Sequence, residues 1–400
     1  MGRRDKLRPQ PQSQPDRARG RVHLMQRILL RLKVRLVAEP MLAILLLAGI
    51  ALQIGAPRPW RSLPTLVDWQ TVLTLAGLMM LTHAIQLSGA LDNLAHRLLR
   101  RVATERALAC LLVLFAAALA TVLTNDVSLF VVIPLARSLH KLKPLPIKRL
   151  VIVIALAVNA GSVLTPLGNP QNLFLWQSSG VSFGAFAWAL SPLAFVLTLS
   201  LLGLTALLFG VRPLDLSEDS APQPVDSLLF AVTVCAFVAF VVLADLHHAA
   251  WALLAVVLGY GLWRRAVVLS VDAVLLGIFI LMFIVLRAAA ALPSVHAALA
   301  QWQLAVPAHL YLAGALLSQG ISNVPATIVL VEFSHDWRVL AYAVSVGGFG
   351  IALGSLANLI AVRLSGERGM WGIFHAISLP FFVLAIGVGA GLLRCLGWAG

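Results

Sequence analysis

The sequence predicts an all-α membrane protein of about 10–11 helical segments, and three observations carry that prediction. Of the 400 residues, 60% are hydrophobic and only 12% are charged. Soluble domains carry roughly 25% charged residues, so this chain has too little polar surface for a water-facing fold. Apolar runs long enough to cross a bilayer recur along nearly the whole length. The runs are continuous rather than alternating, which argues against a β-barrel. The three cysteines (Cys110, Cys235, Cys395) lie far apart and form no CxxC, so neither a disulfide framework nor a thiolate metal site is indicated.

Residues 1–35 hold eleven Lys/Arg against two Asp, about +9 of the net +14, and show no cleavable signal pattern. They read as a basic cytoplasmic tail that orients the first span and touches anionic lipid, not as a nucleic-acid arm. Apolar segments follow at 36–54 and 70–90. The next, 107–139, is interrupted by Thr124-Asn125-Asp126 and flanked by two basic links, 91–106 and 137–149. Basic links stay cytoplasmic. A single crossing would put one of them outside, so 107–139 is expected to enter and turn back as a re-entrant hairpin. Residues 150–178 then leave as a broken helix and 192–211 return. Residues 212–227, rich in Pro and acid, read as a cytoplasmic linker. A linking helix at 228–246 crosses out, and 249–263 cross in to Arg264-Arg265. Residues 270–291 cross out again. A second hairpin, 304–337, interrupted at Ser322-Asn323-Val324-Pro325, dips from outside. A second broken helix, 340–363, leads in to Arg363 and Arg368, and 371–393 cross out. The expected location is the inner cell membrane, multi-pass, with the N-terminus cytoplasmic.

This threading gives two inverted repeats, 36–211 and 249–395, with one order of elements in opposite senses. Residues 158–173 align without gaps on 344–359, matching Gly161 with Gly347, Gly168 with Gly354 and Asn172 with Asn358. Six of the seven asparagines fall in the four breaks: Asn125, Asn159, Asn169, Asn172, Asn323 and Asn358. Irregular backbone at bilayer depth survives only where protein buries it or water reaches it. Paired discontinuous helices at mid-membrane are the architecture of secondary transporters. Gly opens the backbone, Pro frees carbonyls to ligate a cation, and half-helix N-termini present N–H groups to an anion.

Four motifs carry a family resemblance: Thr124-Asn125-Asp126-Val127, Asn159-Ala160-Gly161-Ser162 through Gly168-Asn169-Pro170-Gln171-Asn172, Ser322-Asn323-Val324-Pro325, and Gly347-Gly348-Phe349-Gly350 through Gly354-Ser355-Leu356-Ala357-Asn358. In that order they resemble the Ion Transporter superfamily, most closely its citrate-transporter-like anion permeases. Arsenite permeases, divalent anion:sodium symporters and NhaD-type sodium/proton antiporters belong to the same group. The resemblance implies an elevator-type homodimer that carries a small anion, with sodium or a proton as coupling ion and no other cofactor. It places one cation site at Thr124, Asn125 and Gly161, with a counterpart at Ser322, Asn323 and Gly347; Asp126, where the symporters' motif has Thr, joins the first as an ion-binding candidate on its own chemistry. Thr165, Asn169, Asn172, Ser355 and Asn358 would face the substrate. The symporters carry Ser-Asn-Thr at both tips; here Val324 and Pro325 leave the second tip poorer in ligands.

Asp126, the only acid between residues 107 and 211, has two readings. It ligates sodium or loads a proton, or it N-caps the returning helix. His83 and Gln86 read as interhelical glue or as substrate contacts. Arg287 is expected to snorkel, and Glu332, Asp336 and Arg338 to form a solvated rim. The function expected is secondary transport of a di- or tricarboxylate or an inorganic oxyanion. A sodium/proton antiporter or arsenite exporter of the same fold is the alternative. An intramembrane enzyme would need a nucleophile with its base or a HExxH pair, and neither is visible.

Overall fold

A computed structural model describes residues 40–99, 102–214 and 224–398. The basic tail and residues 215–223 of the linker lie outside these. The described residues contain no strand, only an isolated bridge between Thr104 and Pro213. They divide into two compact units, one ending at Pro57 and the other beginning at Arg58. The first unit contributes one apolar helix, α1 (Pro40–Gly55).

The second unit opens with a 3₁₀ turn, Trp60–Leu66, and then α2 (Trp69–Leu87), whose N-cap Asp68 accepts from Thr71 N at 2.8 Å. A short α3 (Ala90–Leu99) leads to a helix pair, α4 (Glu105–Val122) and α5 (Asn125–Leu142). A broken helix follows as α6 (Ile147–Ser162) and α7 (Pro170–Ser179), then α8 (Phe183–Leu208). Three helices make the middle: α9 (Ser227–Asp245), α10 (Ala249–Trp263) and the short α11 (Arg265–Leu269). The first order of elements then repeats. It runs through α12 (Ala273–Ala290), short α13 (Pro293–Ala300), the pair α14 (Pro307–Ile321) and α15 (Asn323–Val331), broken α16 (Trp337–Gly347) and α17 (Leu356–Ser365), and α18 (Met370–Cys395). Among the described residues six helices, α2, α4, α8, α9, α12 and α18, are long and apolar enough to cross a membrane. This is the all-α membrane fold that the composition predicts.

Two helices form the centre. In α6 every residue from Leu150 to Ser162 is buried, and in α16 every residue from Val339 to Gly347. Both are apolar all round, so no face is left for water or lipid. Helices α4–α8 and α14–α18 pack around them. Helices α2, α9, α10 and α11 pack chiefly on one another, with α12 joined to them through α2 and to α15 by a larger contact. The two groups meet mainly where α2 crosses α7 and α12 crosses α15.

Basic side chains gather at one end of this unit. Arg106 Nε donates to Phe209 O (3.0 Å), Arg137 Nη1 to Leu364 O (3.1 Å), Lys148 Nζ to Arg368 O (2.8 Å) and Arg149 Nη1 to Leu208 O (3.3 Å). Three of these cations satisfy open carbonyls at helix C-termini and oppose their dipoles, and Lys148 ties down the link before α18. The links 102–106, 137–149, 208–214 and 363–368 therefore share one end. Both ends of the α4–α5 pair lie on it, so α4 and α5 form a helical hairpin that turns at Thr124-Asn125. At the opposite end Phe183 N donates to Asp245 Oδ1 (2.6 Å), and Arg287 Nη1 to Leu66 O (2.8 Å).

Some particulars differ from the sequence reading. Helix α8 begins nine residues before 192, because Ser182 caps it (from Ala185 N, 3.3 Å) and the helix runs on through Pro192. Arg287 does not snorkel free. Its Nε lies 2.9 Å from Glu332 Oε1, without hydrogen-bond alignment, and its guanidinium lies over the rings of Phe174 (5.6 Å) and Phe283 (5.4 Å). Glu332 thus belongs to an ion pair rather than an open rim. Asp336 caps α16 from Val339 N (3.2 Å), and Arg338 lies over Trp337 and Trp398, each at 5.2 Å.

Candidate functional site

Each broken helix is bolted to the hairpin beside it, in the same way in both halves. In the first, Thr121 on α4 donates to its own Ala117 O (3.0 Å) and to Gly161 O (3.2 Å) at the end of α6. Thr165 Oγ1 donates back to Thr121 O. Asn125 N reaches Gly168 O at 3.0 Å. In the second half Gln319 on α14 takes the place of Thr121. Its Nε2 donates to Ala315 O (3.1 Å) and Gly347 O (2.6 Å), and its Oε1 accepts from Ile351 N (2.8 Å). A Cβ on Gly161 would overlap the Ala117 carbonyl, and one on Gly350 the Gln319 amide. Glycine at these breaks is what lets the hairpins approach so closely.

Hydrogen bonds also join the halves. Asn159 Nδ2 on α6 donates to Asn358 Oδ1 (2.8 Å) and Gly348 O (3.1 Å), while Asn159 Oδ1 accepts from Ser355 Oγ (3.1 Å). Asn358 Nδ2 donates to Gly348 O (2.9 Å). The symmetry is not complete. The position matching Asn159 is Ser345, whose buried hydroxyl has no partner, and the match of Asn358 is Asn172, whose Oδ1 has none. Asn172 Nδ2 instead donates to Ser162 O (3.2 Å) and Val163 O (3.1 Å), and Asn169 caps α7 from Asn172 N (2.8 Å).

These braces aim four helix N-termini at one cavity of about 310 Å³, the small end of the roughly 300–1,000 Å³ range of ligand sites. Helix α5 brings Thr124, Asn125 and Asp126; α7 brings Pro170 and Gln171; α15 brings Asn323 and Val324; α17 brings Ser355, Leu356 and Ala357. Thr124, Ser322 and Ser355 stand at N-cap positions, yet none of their side chains caps its own helix. A helix leaves its first N–H groups without intrahelical partners, and the dipole adds partial positive charge there. Four such ends around one small space make an anion-binding environment without a basic side chain. No Lys or Arg among the described residues lines the cavity.

The opposite wall comes from α2 (Leu75, Met79, His83, Gln86) and from Ser270, Asp272, Leu275 and Phe279 at the start of α12. His83 and Gln86, read as glue or contact, therefore face the cavity. Asp126 is not the cap of α5, since Thr124 holds that position; it lies in the first turn and points its residue at the cavity.

Of the residues expected at the site, Thr124, Asn125, Asp126, Asn323 and Ser355 meet on the cavity wall. Gly161, Gly347, Thr165, Asn169, Asn172 and Asn358 lie behind it, holding the breaks in shape through the bonds above. Ser322 forms the turn of the second tip. Sequence reasoning missed Asp272, Gln171, Ser270 and the bolts Thr121 and Gln319. An acid just before an apolar run reads as a helix cap, which Asp272 also is, accepting from Val274 N (2.9 Å) and Leu275 N (3.0 Å). A Gln four residues before a helix break was the available signal for Gln319.

Comparison with known proteins points the same way. The family model for citrate transporters matches residues 28–347. The inner membrane protein YbiR of Escherichia coli K12 is 42% identical over 353 residues, 88% of this chain and 95% of its own. An uncharacterized transporter of Methanocaldococcus jannaschii is 28% identical over 324 residues, 80% of this chain and 87% of its own. The silicon efflux transporter LSI3 of rice is 30% identical over 124 residues, 30% of this chain and 26% of its own.

Proposed function

The chain belongs to the citrate transporter family, and on that premise we propose that it is a secondary active transporter of a small anion, a carboxylate or inorganic oxyanion, coupled to sodium or protons. The observation that carries this reading is the convergence of four helix N-termini on one small cavity. Such ends suit a compact anion of one or two charges. A wall without Lys or Arg argues against a tricarboxylate. Asp126, at the tip of the first hairpin, carries the coupling ion: a carboxylate at membrane depth persists for function.

The rest of the cycle follows from the two groups of helices. The end rich in Arg and Lys faces the cytoplasm by the positive-inside rule, which sets the two halves in opposite senses and the N-terminus inside. Ser270 and Asp272 stand close to Arg264 and Arg265 in the chain, so this form of the protein opens inward. The group α4–α8 with α14–α18 carries the cavity's helix ends and slides as an elevator against α2 and α9–α12. The homodimer is supported by the family resemblance.

A second reading, sodium/proton antiport, is favoured by one feature: the two acids on the cavity have no basic partner there. Reconstitution in liposomes separates the readings. Labelled succinate, citrate, sulfate and arsenite, and sodium itself, are offered under sodium or pH gradients imposed singly. Anion uptake driven by one gradient is the expected result. Sodium exchange for protons with no anion moved would favour the antiporter. No gradient-driven flux of any solute, in protein shown to be folded, would overturn both.

A further inference from the structure

Asp272 is the second carboxylate on the cavity wall. It stands at the start of α12, in the group with α2, while Asp126 stands at a hairpin tip in the other group. Both acids line the same cavity. His83 of α2 is the one other titratable side chain among the described residues on that wall, and no Lys or Arg joins it. Like charges facing one cavity repel unless a cation lies between them.

An independent observation points to that cation. Asn125 is only 6% exposed and lines the same cavity, yet its Oδ1 has no hydrogen-bond donor. A buried amide oxygen without a donor is costly to leave so. A hard cation satisfies both an unpaired amide oxygen and nearby carboxylates, because such ions are held by oxygen ligands.

We propose that Asp272 is a determinant of coupling-ion affinity, supplying with Asp126 and the Asn125 carbonyl oxygen the negative surroundings of one sodium ion. The proposal rests on the reading of Asp126 as the coupling residue and adds a member from the other helix group. Asp126 and Asp272 line one cavity only while α12 and the first hairpin keep their present relation. Sodium bound between them therefore favours this arrangement over one in which the hairpin has moved away. Release of the ion and movement of the hairpin become linked events.

The test uses the intact protein in detergent, with thermal unfolding followed as sodium is raised at constant ionic strength with choline. Asp272→Asn removes the charge and keeps the cap, since Asn caps helices as well as Asp does. Asp336→Asn is the matched control: it too caps a helix, α16, but lies off the cavity. The wild type is expected to gain melting temperature as sodium saturates the site. Asp272→Asn should raise the half-saturating sodium concentration about tenfold, the order expected of removing one screened charge from the cavity wall. Asp336→Asn should leave it unchanged. A half-saturating concentration for Asp272→Asn equal to wild type would overturn the proposal and leave Asp272 as a cap. A wild type indifferent to sodium would overturn it as well. Because sodium binding is read without transport, a failure here is distinct from a failure of the anion reading, which uptake in liposomes decides.

Discussion

The Asn159 amide donates both its hydrogens to the other half of the chain and accepts from it through Ser355. Asn159→Ala would leave Asn358 Oδ1, Gly348 O and the Ser355 hydroxyl buried with fewer partners. It is expected to destabilise by about 3 kcal/mol, seen as a lower melting temperature of the purified protein. Melting unchanged within a degree would mean that water replaces the amide. Ser322 offers the opposite case. Its backbone, φ 72° and ψ 157°, lies where residues with a Cβ are strained by on the order of 1–3 kcal/mol. Ser322→Gly should therefore melt higher, and a lower melting point would show that the Ser322 side chain contributes more than the strain costs. At Asp126 the informative change is Asp126→Asn, which keeps the size and removes the charge. Transport that loses its dependence on sodium or pH is the expected outcome. Full retention of both would remove Asp126 from the coupling mechanism.

At the scale of elements, close contact between α4 and α6 depends on Gly161. Gly161→Ala must push α4 off α6 and is expected to cost about 1–3 kcal/mol together with transport. Gly203→Ala, in a helix with open space around the position, should be neutral or slightly stabilising. Equal effects would show that helix propensity, not contact, governs both. The helix pairs and broken helices were legible because Asn, Gly and Pro interrupt apolar runs. The wall opposite the hairpin tips was not. His83 and Gln86 lie on a helix whose sequence does not say which neighbour it faces. Asp272 looks like any acid that starts a helix. The start of α8 was hidden by Pro192, which resembles the beginning of a segment but lies within one. Asn169, Asn172 and Asn358 show the remaining limit: their spacing marks a break, but only packing decides whether an amide faces the solute or braces the backbone behind it.

At the scale of the whole molecule, the proposed cycle has the cavity open at the end where Arg and Lys gather. In a chain freed of Cys110, Cys235 and Cys395, Ser270→Cys should react with an impermeant maleimide in inside-out vesicles and resist it in right-side-out ones. The reverse pattern would invert the proposed topology. The four helix ends that frame the cavity come from residues near 125, 170, 323 and 356. That spread bears on how the protein is made. A ribosome must release more than 350 residues before the last of the four ends exists, and until then Asn159 has no Asn358 or Ser355 to bond. The early half enters the bilayer with the Asn159 amide unpaired, a state that invites insertase or chaperone protection and degradation if synthesis stalls. The two halves supplied as separate chains should each be short-lived alone and persist only when made together.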